Sequence, residues 1–227
     1  PYTTLFRSIP NASGLNNGFI IIQDTVGGFY SPFSPTGYGE CGVFAMDVDT
    51  SQNVYVTGYV NGIVVFGDDT INASTFSRVM FAAKLAKVGQ YSWQWEWAYK
   101  LSHASTSSTM NTADAIKVTP DGSSFYIGGR SHQGSGTYLT NGDSTTSKLS
   151  IANQDGYIVK YSSSGAYQWG INLDAFGTVT GQTTCHRMEL DGQGNLIAAG
   201  EWIGSSAPLS FVTPMGTTII SANSQSG

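Results

Sequence analysis

A short β-rich pattern closed by glycine recurs three times along this chain, as Asn53-Val54-Tyr55-Val56-Thr57-Gly58, Ser124-Phe125-Tyr126-Ile127-Gly128-Gly129 and Asn195-Leu196-Ile197-Ala198-Ala199-Gly200. Its last glycines are 71 residues apart at both steps. A constant period of this length predicts a supersecondary unit that buries its apolar surface only by stacking on its neighbours. A second element interleaves with the first: Asn17-Gly18-Phe19-Ile20-Ile21-Ile22, Met80-Phe81-Ala82-Ala83-Lys84-Leu85 and Asp155-Gly156-Tyr157-Ile158-Val159-Lys160-Tyr161. The pattern specifies an architecture and names no reaction.

The best-formed copy runs from Asp155 to Trp202. Tyr157-Ile158-Val159-Lys160-Tyr161 is a strand, Ser162-Ser163-Ser164-Gly165 a turn, and Ala166-Tyr167-Gln168-Trp169-Gly170-Ile171 a returning strand. His186-Arg187-Met188-Glu189-Leu190 alternates again, Asp191-Gly192-Gln193-Gly194 turns, and Asn195 to Gly200 forms a nearly continuous apolar strand. Four short antiparallel strands are the content of a propeller blade. Residues 82–88 could make two helical turns, but their β-rich flank and Gly89 favour a strand and hairpin.

The expected fold is therefore all-β, with β-propeller-like repeats of four-stranded antiparallel blades, about three units, forming a fragment or an open array. Ala45-Met46-Asp47-Val48-Asp49 through Asn53 to Tyr59, and Phe81-Ala82-Ala83-Lys84-Leu85 through Gly89-Gln90-Tyr91-Ser92-Trp93, resemble the β-propeller repeat family known as SBBP repeats. That resemblance implies radial antiparallel blades on secreted or cell-surface proteins and no catalytic residue set. A closed ring holds about 4 to 8 blades, so three units imply either further blades or partner chains. Open sheet edges with unpaired amides invite strand addition.

The first eight residues, Pro1-Tyr2-Thr3-Thr4-Leu5-Phe6-Arg7-Ser8, read like a translated sequencing adapter, as in an environmental or transcript assembly. The expected organisation is a non-native stretch over 1–8 and a single repeat β domain over 9–227, with units at about 17–67, 80–140 and 155–210, truncated at both ends.

Only 11% of the residues are charged against 40% hydrophobic, so Ser, Thr, Asn and Gly carry the solubility, as in extracellular β-proteins. A net charge of −5 without a basic run argues against nucleic acid, and no apolar run reaches the roughly 18 residues of a membrane span. Cys41 and Cys185, near the start of equivalent strands, admit a disulfide that their spacing does not require. Asn11-Ala12-Ser13 and Asn72-Ala73-Ser74 are glycosylation sequons at Asn11 and Asn72.

Tyr91, Trp93, Trp95, Trp97 and Tyr99 occupy alternate positions, which on a flat strand would project from one face. Trp93 aligns with Trp169 in a shared Gly-x-Tyr-x-Trp pattern and reads as packing. Trp95, Trp97 and Tyr99 are then candidates for a glycan-stacking platform, against an interblade core as the alternative. Asp47, Asp49 and Asn53 place oxygen side chains as the start of a calcium loop would, without its central glycine and terminal glutamate. Turn chemistry explains the same residues.

Gly37-Tyr38-Gly39-Glu40-Cys41-Gly42 formally matches a dinucleotide fingerprint but lacks the flanking strand and helix. His103, His132 and His186 lie in dissimilar contexts, and no nucleophile elbow is present. The leading expectation is a noncatalytic extracellular or cell-surface binding or scaffold protein that needs no cofactor, with carbohydrate and other copies of itself as partners. The alternatives are a filament protomer assembled by strand exchange and a quinone-dependent propeller dehydrogenase, suggested by the resemblance of Ser162 to Trp169 to that repeat.

Overall fold

A computed structural model describes residues 17–25, 27–28, 30, 32–73, 78–104, 112–131, 137–140, 147–151, 155–175, 182–203, 209–213 and 216–220. In chain order the strands are β1 (Thr36–Gly37), β2 (Glu40–Val48), β3 (Val54–Asn61), β4 (Ile63–Phe66), β5 (Asp69–Asn72), β6 (Val79–Gly89), β7 (Ser92–Lys100), β8 (Ser102–Ala104) and β9 (Thr112–Val118). They continue with β10 (Ser124–Arg130), β11 (Thr137–Thr140), β12 (Ser147–Ile151), β13 (Gly156–Ser162), β14 (Tyr167–Ala175), β15 (Gln182–Leu190), β16 (Leu196–Ile203), β17 (Leu209–Thr213) and β18 (Gly216–Ile220). The chain is all-β, and residues 82–88 are strand, as their flanks predict. No helix among the described residues is long and apolar enough to cross a membrane.

Two sheets repeat one plan. β2-β3-β6-β7 is a four-stranded antiparallel sheet, β9-β10-β13-β14 matches it with β17 and β18 added beyond β14, and β15-β16 stand as a pair. The four strands read between Asp155 and Trp202 all form, but in two sheets: β13 and β14 complete the sheet begun by β9 and β10, while β15 and β16 begin another. The units at 17–67, 80–140 and 155–210 are thus half a sheet out of phase. The second and third each open on the last two strands of one sheet and close on the first two of the next, and the first opens on the isolated bridges of Asn17 and Ile20.

Strand pairing explains the recurrent glycine. In each first strand one residue bulges, Phe44, Asp114 or His186, beside the pairs Val43–Gly58, Ala113–Gly129 and Cys185–Gly200. The bulge drives a neighbouring carbonyl, that of Gly42, Thr112 or Thr184, into the space a Cβ would fill on Gly58, Gly129 or Gly200. None of these three glycines has a positive φ, so close backbone approach selects them.

The sheets stack through successive cores. Ile20, Val54, Val56, Phe81 and Leu85 pack between the N-terminal segment and one face of the first sheet. Tyr55, Met80 and Trp97 on its other face meet Phe125, Tyr157 and Tyr161 of the second sheet. Tyr126, Ile158 and Leu173 then meet Cys185 and Met188 of the third. Alternation along β3 and β10 sends successive side chains into different cores, which is why both strands are buried almost throughout.

Hairpins tie each repeat to the strand that precedes its first bulged strand. β4-β5, β11-β12 and β17-β18 each follow the second strand of a unit, and they pair with β1, β8 and β14 respectively. The sequence period therefore carries the opening strand pair of a sheet and a hairpin that reaches back to the strand before that pair.

The first and third units share a turn as well. Asn53 donates from its backbone N–H to Asp49 Oδ1 at 2.9 Å and from its side-chain Nδ2 to Asp49 Oδ2 at 2.8 Å. Asn195 serves Asp191 through the same two groups, both at 2.8 Å. Asp49 is buried and also accepts from the Tyr55 hydroxyl, whereas the Asp191 turn is at the surface. Asp49→Ala is expected to cost roughly 1–3 kcal/mol through its stranded donors, and Asp191→Ala under about 1 kcal/mol, as read by urea denaturation.

Candidate functional site

The three bulged strands β2, β9 and β15 line a polar recess of about 300 Å³, formed by residues 44–47, 114–117 and 186–189. These are repeat-equivalent positions, because each set follows the bulge that faces the recurrent glycine. The structural repetition thus brings three copies of one strand together and lets sequence divergence at that place decide the chemistry.

The divergence is ionic. Asp47, Lys117 and Glu189 pair across their sheets with Tyr55, Tyr126 and Ile197, equivalent residues of the second strands. Lys117 Nζ lies 3.4 Å from Asp47 Oδ2 and 2.7 Å from Glu189 Oε1. Asp47 Oδ2 also accepts the Val118 N–H at 2.8 Å, which anchors the carboxylate to the neighbouring sheet. At the bulges, His186 Nε2 sits 3.4 Å from Glu201, and Asp114 is partly buried beside the Thr112 hydroxyl at 3.2 Å. Exposed Phe44 and Met46 supply apolar surface at the rim.

Environment shifts these groups in different directions. Burial pulls the Lys117 ammonium down, but its hydrogen bond to Glu189 and the charge of Asp47 outweigh this and leave it raised. The hydrogen bond from Lys117 holds the Glu189 carboxyl below its ordinary range. Burial raises Asp114 against the opposing pull of Thr112, His186 and Arg130.

Glu189, lowered on folding, stabilises the fold above the unfolded carboxylate range and loses that contribution as pH falls through its folded value. Lys117, raised on folding, contributes fully below its unfolded value and loses that as pH rises through its folded one. Thermal unfolding of Lys117→Met against pH is therefore expected to lose both the acid-side and the alkaline-side dependence carried by this pair.

The sequence candidates fall elsewhere. Trp95, Trp97 and Tyr99 do not share a face: Lys84 pairs with Trp97 but Leu85 pairs with Trp95, so Glu96 is an extra residue that reverses the alternation. Trp93 and Trp95 pack toward the N-terminal core, and Trp97 and Tyr99 toward the second sheet, stacked at 4.6 Å. Trp97, opposite Lys84, is also the counterpart of Trp169, opposite Lys160, which corrects the alignment of Trp93 with Trp169. Each of these tryptophans meets the tyrosine of its own sheet, Trp97–Tyr55 at 5.9 Å and Trp169–Tyr126 at 5.8 Å. The longer β6–β7 hairpin hides that equivalence in the sequence.

Asp47 is directed away from Asp49 and Asn53, which bond each other. Asp47 serves Lys117 and Val118, while Asn53 spends its amide donors on Asp49. Among the described residues no three Asp, Glu, His or Cys side chains converge as a metal-ligand group. Cys41 and Cys185 are free, buried thiols in different cores rather than a disulfide, with burial pushing Cys41 up to about 12 and Cys185 to about 11. Asn72 is exposed at the end of β5, and Asn11 lies outside the described residues.

Sequence reasoning missed the recess because Lys117 and Glu189 are isolated charges in strands with no motif around them. Aligning the three first strands by their glycine partners would have placed both beside Asp47. No protein-family model matches the chain, and no curated protein matches it either.

Proposed function

We propose that this chain is a noncatalytic scaffold of the β-propeller type, displayed outside the cell, that holds a carbohydrate over the recess of β2, β9 and β15. The carrying observation is the convergence of three repeat-equivalent strands on one polar hollow, the placement that radial blades give to their innermost strands. Lys117, Arg187 and His186 offer donors beside the carboxylates of Asp47 and Glu189, a mixed set suited to sugar hydroxyls. Exposed Phe44 at the rim provides a ring for sugar stacking. The low charge content and the Ser, Thr, Asn and Gly surface suit an extracellular setting.

A glycan array followed by calorimetry tests this reading. Phe44→Ala and Lys117→Met are each expected to weaken binding of a retained sugar about 10-fold or more, in line with about 1.4 kcal/mol lost. Silence of the native chain across the array, or undiminished binding by both variants, would remove the carbohydrate reading. The outer edge of β16, unpaired among the described residues, favours a second reading, a structural protomer that grows by strand addition.

A further inference from the structure

Strand β16 carries the third copy of the glycine pattern, yet no strand lies on its outer edge among the described residues. Its counterparts β3 and β10 are buried nearly throughout, whereas residues 197–201 are exposed. In both complete sheets the missing partner arrives in one register, with an aromatic residue opposite the glycine: Phe81 faces Gly58, and Tyr157 faces Gly129. Among the described residues Gly200 has no such aromatic residue across from it.

The chain holds one more segment of the required kind. In Asn17-Gly18-Phe19-Ile20-Ile21-Ile22, Gly18 and Phe19 stand where Gly156 and Tyr157 stand in β13. Ile20 exchanges hydrogen bonds with Phe33 at 2.8 and 2.9 Å, and the Ile22 carbonyl accepts from Tyr30 N–H at 2.9 Å. These bonds lie on one edge, so the intervening residues Phe19 and Ile21 direct their peptide groups to the other. Ile20 is buried in its own chain's core, while Phe19 is 60% and Ile21 49% exposed.

We propose that segment 17–22 of a second copy adds to the free edge of β16, with Phe19 opposite Gly200 and Ile21 opposite Ala198. A hollow of about 170 Å³ beside β16, lined among others by Ile158, Leu173, Cys185, Ala198 and Trp202, receives the Phe19 ring. Trp202 Nε1 is buried without a hydrogen-bond partner, and this register sets it across from Asn17, whose side-chain carbonyl can accept. Ile20 and Ile22 stay in the donor's own core and Asn17 keeps its bridge to Cys41 of the donor, so the added pairing centres on Phe19 and Ile21. The donor contributes the two segments bridged at Ile20 and Phe33, and a four-segment arrangement like the other sheets results.

The contact is head-to-tail, so it closes a ring or extends as a filament. On the propeller-type reading above, on which only this step rests, a ring closed by such contacts would fall within about 4 to 8 blades.

Two variants disable opposite halves. Ala198→Pro removes an amide that points to the free edge, and Phe19→Asp places a charge at the aromatic position. Both positions are exposed, so circular dichroism is expected to show native folding. Analytical ultracentrifugation of the native chain is expected to show a dimer or larger species, with each variant alone falling to the single-chain mass. An equimolar mixture restores a dimer, because each variant retains the half that the other lacks. A native chain at single-chain mass, assembly unchanged in both variants, or a mixture that stays monomeric would each overturn the proposal. The readout is mass, so it stands apart from any result on the glycan array.

Discussion

Gly58→Ala is expected to destabilise the chain by roughly 3–4 kcal/mol, a large share of the 5–15 kcal/mol that holds a typical domain together. The added Cβ would overlap the Gly42 carbonyl oxygen, which belongs to backbone fixed by the β2 bulge and by pairing on both sides of β3. No flexible side chain can yield there, so the ladder itself must shift. The same change at Gly200 meets the Thr184 carbonyl, but β16 has an open edge and can move outward, so a smaller loss of about 1–2 kcal/mol follows. Gly192→Ala meets nothing within 4 Å and serves as the control, expected within about 0.5 kcal/mol of the native chain. Urea denaturation of the three variants checks the order; equal losses at Gly58 and Gly192 would remove steric approach as the reason for the repeat.

Phe125→Ala is the second large effect, at roughly 3–5 kcal/mol. Phe125 is fully buried and joins two sheets through rings: Trp97 at 5.6 Å, Tyr55 at 6.4 Å and Tyr161 at 5.5 Å. Truncation leaves a cavity that β10 cannot close by moving, because it is paired on both sides, with β9 and with β13. Phe44→Ala removes an equally large ring from an exposed position and should cost under about 1 kcal/mol. Comparable losses from the two would mean that the second sheet does not pack on the first through this cluster.

Strand positions were legible because local signals set them. The β-rich run at Tyr157, the nearly continuous apolar run from Asn195, the alternation at His186–Leu190 and the turn at Asp191 predicted β13, β16 and the hairpin between β15 and β16. Grouping failed at the same places: a hairpin looks alike in sequence whether its strands complete one sheet or open the next, so β14 and β15 were read together and proved to lie in different sheets. The aromatic run failed for a local reason of another kind. One extra residue, Glu96, reverses a period-two pattern, and the sequence does not announce a bulge that the partner strand imposes.

The sequence by itself determined the all-β character, the period of the unit and the recurrent glycine within each second strand, since these follow from local strand patterning and from a steric need repeated in every copy. Only the tertiary structure decided what those repeats bring together. Asp47, Lys117 and Glu189 are about seventy residues apart at each step, and they meet because stacking sets equivalent strands side by side. Likewise the apolar strand at Asn195–Gly200 reads the same as its two predecessors, yet it is exposed where they are buried, because burial belongs to the neighbour that covers a strand and not to the strand.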